Sequence, residues 1–341
     1  VLALAGPVAV VAVVVAVVVL GSGSTATPAA AEVLHRTAAV AAAAGKAPDM
    51  PGPGQFLYSK VKMVELVGWD PGGRQVSQGG QLKYRGAFNA EITTERESWW
   101  GARGGGRQRE VMTAPPRLVP ASDRARWKRE GSPLPGDLDP QHEREEAAAT
   151  AGHGPQVLEA RRGVYDIKIP RPPGRGLGPN FGFPDYSRLP TRPEALRHAI
   201  QGNHFPGIGN APDGADEPLD TKETIESLFS LLSAPNVSPA LRAATFNALA
   251  EMPGIELRTD ATDLAGRHCD AIRYYDARYG WANEYFFDPD TSAILGDRWV
   301  VVKPGVSPST DGLPAGLVKR ETALISSGIV DSVHQRLAPG A

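Results

Sequence analysis

The chain has 341 residues, 41% hydrophobic and 22% charged, which excludes a disordered protein and is enough to bury a core. Lys plus Arg (36) nearly balances Asp plus Glu (38), so the net charge of -2 gives no ground for nucleic acid as a partner. The single cysteine excludes an intramolecular disulfide and a Cys-rich metal site, and 38 Gly with 31 Pro predict long loops between compact elements.

No charged residue occurs before Glu32, and Val8 to Leu20 consists only of Val, Ala and Leu. About 20 apolar residues cross the hydrocarbon layer, so residues 1–20 read as a transmembrane helix contacting the lipid bilayer. A basic cytoplasmic start would set its orientation, and the sequence around Thr25 to Ala29 also offers a cleavage site for a signal peptide. Residues 21–50 read as a small-residue linker followed by an Ala-rich helix, Ala31 to Ala44, ended by Gly45 and Pro48. The body, 51–335, reads as the extracytoplasmic domain.

Within that body, Gln55 to Val67 follows a Pro-Gly turn cluster and predicts a long strand. Ala90 to Trp100 alternates Ile92, Thr94 and Arg96 against Thr93, Glu95 and Glu97, and Arg107 to Thr113 follows as a third strand. Both period-2 patterns fit an antiparallel sheet with one side wet. Periodicity then fails, and 114–160 reads as a mobile loop. Eight Arg or Lys fall within 103–129, a basic loop read either as a patch for anionic lipid or as a solvated loop.

A short strand over Gly163 to Ile169 precedes the helices. Thr191 to Glu194 predicts a helix capped by Thr191 with Pro193 in its first turn, running to about Gln201. Asp220 and Glu223 form a D-x-x-E start before the apolar stripe Ile225, Leu228, Phe229 and Leu232, and Ser238-Pro239 opens the next helix. Strands return at Ile255 to Thr259, His268 to Asp276, Trp281 to Asp288, Ala293 to Lys303 and Lys319 to Ser327. Asp288 to Ser292 is a turn, so the third and fourth of these form a hairpin. Strands, helices and strands in that order predict an α+β fold with helices on one face of an antiparallel sheet.

No catalytic or metal signature emerges. The seven histidines show no H-E-x-x-H spacing, and His142 with Glu143, Glu145 and Glu146 reads as a solvated acidic face. His268 and Cys269 are strand neighbours, so their side chains point to opposite faces and Cys269 reads as a buried structural thiol. No P-loop, dinucleotide fingerprint or nucleophile elbow is present, so no cofactor is expected. Trp99, Trp100, Tyr274, Tyr285 and Phe287 are the aromatic concentrations able to line a ligand groove, with core packing as their other fate.

Several stretches carry a resemblance. Pro53 to Tyr58, Glu97-Ser98-Trp99-Trp100, Leu189 to Leu196, Leu241 to Ala244 through Met252 to Ile255, Phe287 to Thr291 through Leu295-Gly296, and Ser327 to Asp331 span residues 30 to 333. In these the chain resembles an uncharacterised actinobacterial membrane-anchored family often encoded beside extracytoplasmic-function sigma factors. More distantly, its element order is similar to the LolA- and RseB-like lipoprotein-carrier and sigma-regulator fold. The resemblance implies a single-pass protein at the cell membrane, with a curved antiparallel half-barrel, LolA-like, outside the cytoplasm.

The expected function is therefore a non-enzymatic, membrane-tethered module that binds a lipid, another hydrophobic ligand or an envelope protein partner, within envelope-stress or sigma-factor signalling. Two rivals belong to other classes: an envelope hydrolase using scattered carboxylates or His268, and a purely structural ectodomain. An apolar cavity between the sheet and the helices Asp220 to Ala234 and Ser238 to Met252 would be of ligand size, whereas a filled interior there would favour protein partners.

Overall fold

A computed structural model describes residues 26–45, 50–69, 88–102, 105–119, 121–134, 156–169, 186–202, 218–307, 310 and 313–339. The predicted transmembrane segment 1–20 and the His142 acidic run lie outside the described residues. Among the described residues no helix is long and apolar enough to cross a membrane.

Eleven strands make one sheet. They are β1 (Phe56–Trp69), β2 (Phe88–Gly101), β3 (Gly106–Met112), β4 (Arg117–Leu118), β5 (Gln156–Arg161) and β6 (Val164–Ile169), then β7 (Ile255–Thr262), β8 (His268–Asp276), β9 (Trp281–Phe287), β10 (Ile294–Val301) and β11 (Val318–Val330). Their order is β5-β6-β3-β2-β1-β11-β10-β9-β8-β7, with β4 added beside β2, and every ladder is antiparallel. The sheet is open, ending at β5 and β7. Its centre is the pairing of the first strand with the last, β1 with β11, so the two ends of the domain close on each other.

Short turns join β2 to β3, β5 to β6, β7 to β8, β8 to β9 and β9 to β10, so neighbours along the chain are neighbours in the sheet there. The predicted hairpin is present: Ser292 adopts φ 60°, and the Asp288 carboxylate accepts from the Asp290 amide at 2.8 Å. Within 114–160, read as a mobile loop, Arg117–Leu118 pairs with β2, Arg124–Arg129 forms a helix, α2, and Gln156–Arg161 is the edge strand β5, paired with β6. Trp127 on α2 packs beside buried Trp69, Phe88 and Leu118, an apolar anchor that lies far apart in sequence and leaves no local period.

Among the described residues the remaining helices are α1 (Pro28–Ala43), α3 (Pro193–Gln201), α4 (Thr221–Ser233) and α5 (Pro239–Ala250). α1 starts earlier than its Ala content predicts, because the Thr27 hydroxyl accepts from the Ala30 amide and Pro28 fits the first turn. The start of α3 also differs: its cap position is Arg192, with no side-chain cap bond, and Pro193 alone presets the first turn. α4 carries the full capping box, Asp220 and Glu223 each bonding the other's amide at 2.9 Å. Ser238 caps α5 as its sequence predicts.

These four helices share one core with one face of β7, β8 and β9. Leu34, Leu196, Leu228 and Phe246 meet Ile255, Ile272 and Phe287 there, all essentially fully buried. Each such side chain contributes about 1.5–3 kcal/mol of transfer free energy, so this half of the sheet is firmly sealed by its helices. The α+β architecture with helices on one side of an antiparallel sheet agrees with the reading from element order.

Candidate ligand-binding face

The site is built at the β8–β9 turn. Asp276 accepts from the Arg278 amide through its side chain, and Gly280 takes φ +76° with its absent Cβ only 2.3 Å from the Lys303 carbonyl oxygen. Only glycine fits that turn without a shift of backbone. It delivers Tyr279 and Trp281 as a stacked pair, ring centroids 5.1 Å apart and 15° between planes. β10 places Trp299 beside them, 5.7 Å from Trp281.

β11 adds two cations. The ladder shifts register between Trp299 and Val300, passing from Arg320 to Val318, so Lys319 is an extra residue in the strand. Its Nζ lies 4.0 Å from the Trp281 centroid, and the Arg320 guanidinium lies 5.8 Å from that of Trp299. Burial lowers the Lys319 ammonium to about 8, against a smaller opposing pull from Glu65.

The neighbouring cations are neutralised. Lys222 on α4 meets Glu226 at 3.2 Å and Asp276 at 3.8 Å, and Arg278 meets Asp220 at 2.8 Å. Lys319 and Arg320 have no carboxylate within 4 Å among the described residues. The carboxylates nearest in the ladder are Glu65, opposite Arg320 on β1, and Asp297, which accepts from the Thr322 hydroxyl.

From this corner the same face runs across the sheet in rows fixed by register. Trp299, Arg320, Glu65 and Ile92 form one row, and Asp297, Thr322, Met63, Thr94 and Met112 the next. Leu324, Val61 and Arg96 follow, with Leu57 and Trp100 further along. Val61, Leu324, Trp100, Trp281 and Trp299 are half-buried, Ile92, Met63, Thr94 and Thr322 in the rows between them are buried, and the helix-covered face of β9 is sealed. There Tyr285 stacks on Phe229 at 3.5 Å and 9°, and Phe246 meets Phe287 at 5.9 Å. The space between the sheet and α4 and α5, where a cavity was expected, is filled by such side chains.

Three buried polar atoms on the open rows have no hydrogen-bond partner: Trp281 Nε1, Arg320 Nε and Thr94 Oγ1. A buried donor without a partner costs about 1–3 kcal/mol, so such a set marks a place where water or a ligand completes the bonding.

Four of the five aromatics singled out from sequence, Trp100, Tyr274, Tyr285 and Phe287, share this face, but only Trp100 stands on the open rows. Tyr285 and Phe287 lie under the helices. Trp99 is on the opposite face, fully buried against Tyr58 at 5.3 Å. Trp281, Trp299, Lys319 and Arg320 were not singled out. The hairpin pairing places Trp281 and Trp299 diagonally on one face, a signal available in the sequence, whereas the register slip that adds Lys319 is not.

Comparison with protein-family models, curated proteins and solved structures finds no match.

The opposite face is ionic. Glu284, 1% exposed, meets Arg258 at 2.6 Å and Arg298 at 3.4 Å, and Arg298 continues to Glu321 at 2.6 Å. Nearer the other edge, Asp166 takes Arg107 at 2.5 Å and Arg109 at 3.7 Å. Arginines of the basic stretch 103–129 are thus engaged: Arg107 and Arg109 here, Arg117 by Glu91, and Arg126 by Asp123 at 3.2 Å. The face predicted to be wet is largely a lattice of ion pairs. Cys269 lies buried on this side with its thiol pushed up to about 11 by burial and then by Asp263, while His268 is exposed, as their alternation predicts. No group of three or more His, Cys, Asp or Glu among the described residues is arranged to hold a metal ion.

Proposed function

We propose that the protein is a non-enzymatic, membrane-tethered extracytoplasmic module that binds a hydrophobic ligand on the open face of its sheet, in envelope-stress or sigma-factor signalling. The observation that carries this reading is the set of half-buried apolar side chains on one face, Trp281 and Trp299 at one corner and Leu324, Val61 and Trp100 beyond the buried row of Met63 and Thr94, with polar atoms that lack partners among them. Apolar walls with a few fixed polar groups are the ordinary make-up of a small-molecule site. The tether rests on the uncharged residues 1–20, and the half-barrel, LolA-like likeness is supported by an open antiparallel sheet with helices on one side.

Acyl chains brominated near their middle quench tryptophan emission on contact. Titrated into the full chain in nanodiscs, they are expected to give saturable quenching that Leu324→Asp and Val61→Asp abolish without loss of far-UV circular dichroism. Quenching that does not saturate, or that both variants keep, contradicts the reading. Fractionation of the producing cells is expected to recover the protein in the membrane, open to protease from outside the cytoplasm.

A further inference from the structure

We infer that Lys319 and Arg320, bracketing the Trp281–Trp299 pair, are a recognition site for an oxyanion, a phosphate or carboxylate carried at the head of an amphiphile whose apolar chain lies along β11 and β1. The inference rests on the ligand-binding reading above and gives its chemistry. Four cations gather around the aromatic row, and two of them, Lys222 and Arg278, are held by carboxylates. The other two lie against ring faces, at 4.0 and 5.8 Å, and Lys319 feels Glu65 only from beyond 4 Å.

A half-buried cation without a counter-ion is poised to gain an anionic partner, because a charge-assisted hydrogen bond is stronger where water is partly excluded. Arg320 Nε and Trp281 Nε1 are donors, both buried and both without an acceptor. Two unpaired donors and two cations therefore stand at one corner of the face, beside Asn283 Oδ1 and Asp276 Oδ2, buried acceptors that also lack a hydrogen-bond partner. The Lys319 ammonium, lowered by burial, is one whose charged form an arriving anion would stabilise. Glu65, across the ladder from Arg320, Asp297, already bonded by Thr322, and Glu226, engaged by Lys222 and Asn283, are acidic groups near the pair, and none comes within 4 Å of Lys319 or Arg320. The apolar continuation is Leu324 and Val61, in the rows beyond Arg320, so head and chain positions follow one strand direction.

The test uses the full chain in nanodiscs and three probes: dodecyl phosphate, dodecyl maltoside and inorganic phosphate, followed by tryptophan emission and calorimetry. Dodecyl phosphate is expected to bind about tenfold tighter than dodecyl maltoside, and Lys319→Gln/Arg320→Gln to erase that preference while leaving the maltoside affinity unchanged. A preference that survives in the double variant, or equal binding of the two amphiphiles by the unaltered protein, overturns the anion site and leaves the hydrophobic-ligand reading standing. Inorganic phosphate binding as tightly as dodecyl phosphate overturns the amphiphile in favour of a free anion. Failure of both amphiphiles to bind brings down the function proposed above. Unchanged far-UV circular dichroism and melting of the double variant separate loss of binding from loss of fold.

Discussion

Glu97 and Arg336, 239 residues apart, are joined by two hydrogen bonds, Arg336 Nε donating at 2.6 Å and its terminal nitrogen at 3.0 Å. The segment after β11 thereby returns over β1 and β2, where Trp99 Nε1 donates to the Gln335 carbonyl at 2.8 Å and Tyr58 donates to the same carboxylate at 2.9 Å. Burial works to raise the Glu97 carboxyl, but the bonds from Arg336 and Tyr58 and the charges of Arg336 and Arg109 outweigh it and hold it below its ordinary range. Tyr58 is pushed up to about 12, chiefly by burial and then by Glu97.

A folded-state pKa below the unfolded value means that the native protein binds fewer protons, so this stabilisation is complete above the unfolded carboxylate pKa of about 4.3 and is lost as pH falls through the folded value. Urea unfolding is expected to show a decline on acidification below about pH 4 that Glu97→Gln reduces. Arg336→Ala, with half of that side chain in solvent, is expected to cost about 1–3 kcal/mol at pH 7 and to couple with Glu97→Gln in a double-mutant cycle. Independent, additive effects contradict the strap.

Glu284 is the deepest acid of the ionic face, held between arginines from three strands. Removing it leaves Arg298 and Arg273 without that counter-charge, so Glu284→Ala is expected to cost about 3–5 kcal/mol. Arg258, half in solvent, is expected to cost about 1 kcal/mol or less on change to Ala. Thermal melts of the two variants decide it, and equal losses contradict this ranking.

Lys319 destabilises the fold where Glu97 stabilises it, although stability rises with pH for both. Its folded pKa of about 8 lies below the unfolded value of about 10.4, so native stability rises with pH between those values, as the unfolded chain keeps a proton the folded one has released. Lys319→Met is expected to stabilise the unliganded protein at pH 7 by about 1–2 kcal/mol, and the gain to shrink toward pH 10. Chemical denaturation across that range measures it, and a destabilised variant at pH 7 counts against a strained ammonium.

Cys269, buried with a raised thiol, is expected to resist a chromogenic disulfide reagent at pH 7 and to react only as fast as the sheet opens. Rapid reaction of the native protein contradicts its placement.

Element type was legible in the sequence because the strands alternate locally and the helices carry their own caps: Asp220 with Glu223, and Ser238 with Pro239, set helix starts that need no tertiary help. What was not legible is non-local. The pairing of β1 with β11, the return of Arg336 to Glu97 and the anchoring of Trp127 beside Trp69 join residues far apart in the chain, where no periodicity reaches. Likewise, Trp99 and Trp100 read as one aromatic pair, yet strand alternation sends them to opposite faces, one into a core and one to the open rows. Lys319 escaped notice because a single inserted residue in β11 turns its side chain over Trp281.

The central claim is that the open rows of the sheet carry the ligand, and photo-crosslinking reads this most directly. An amphiphile with a diazirine in its acyl chain, irradiated with the full protein in native membranes and mapped by peptide mass spectrometry, is expected to label β11 around Leu324 and β1 around Val61, in competition with unlabelled amphiphile. Labelling confined to residues 1–20, or undiminished by the competitor, contradicts it.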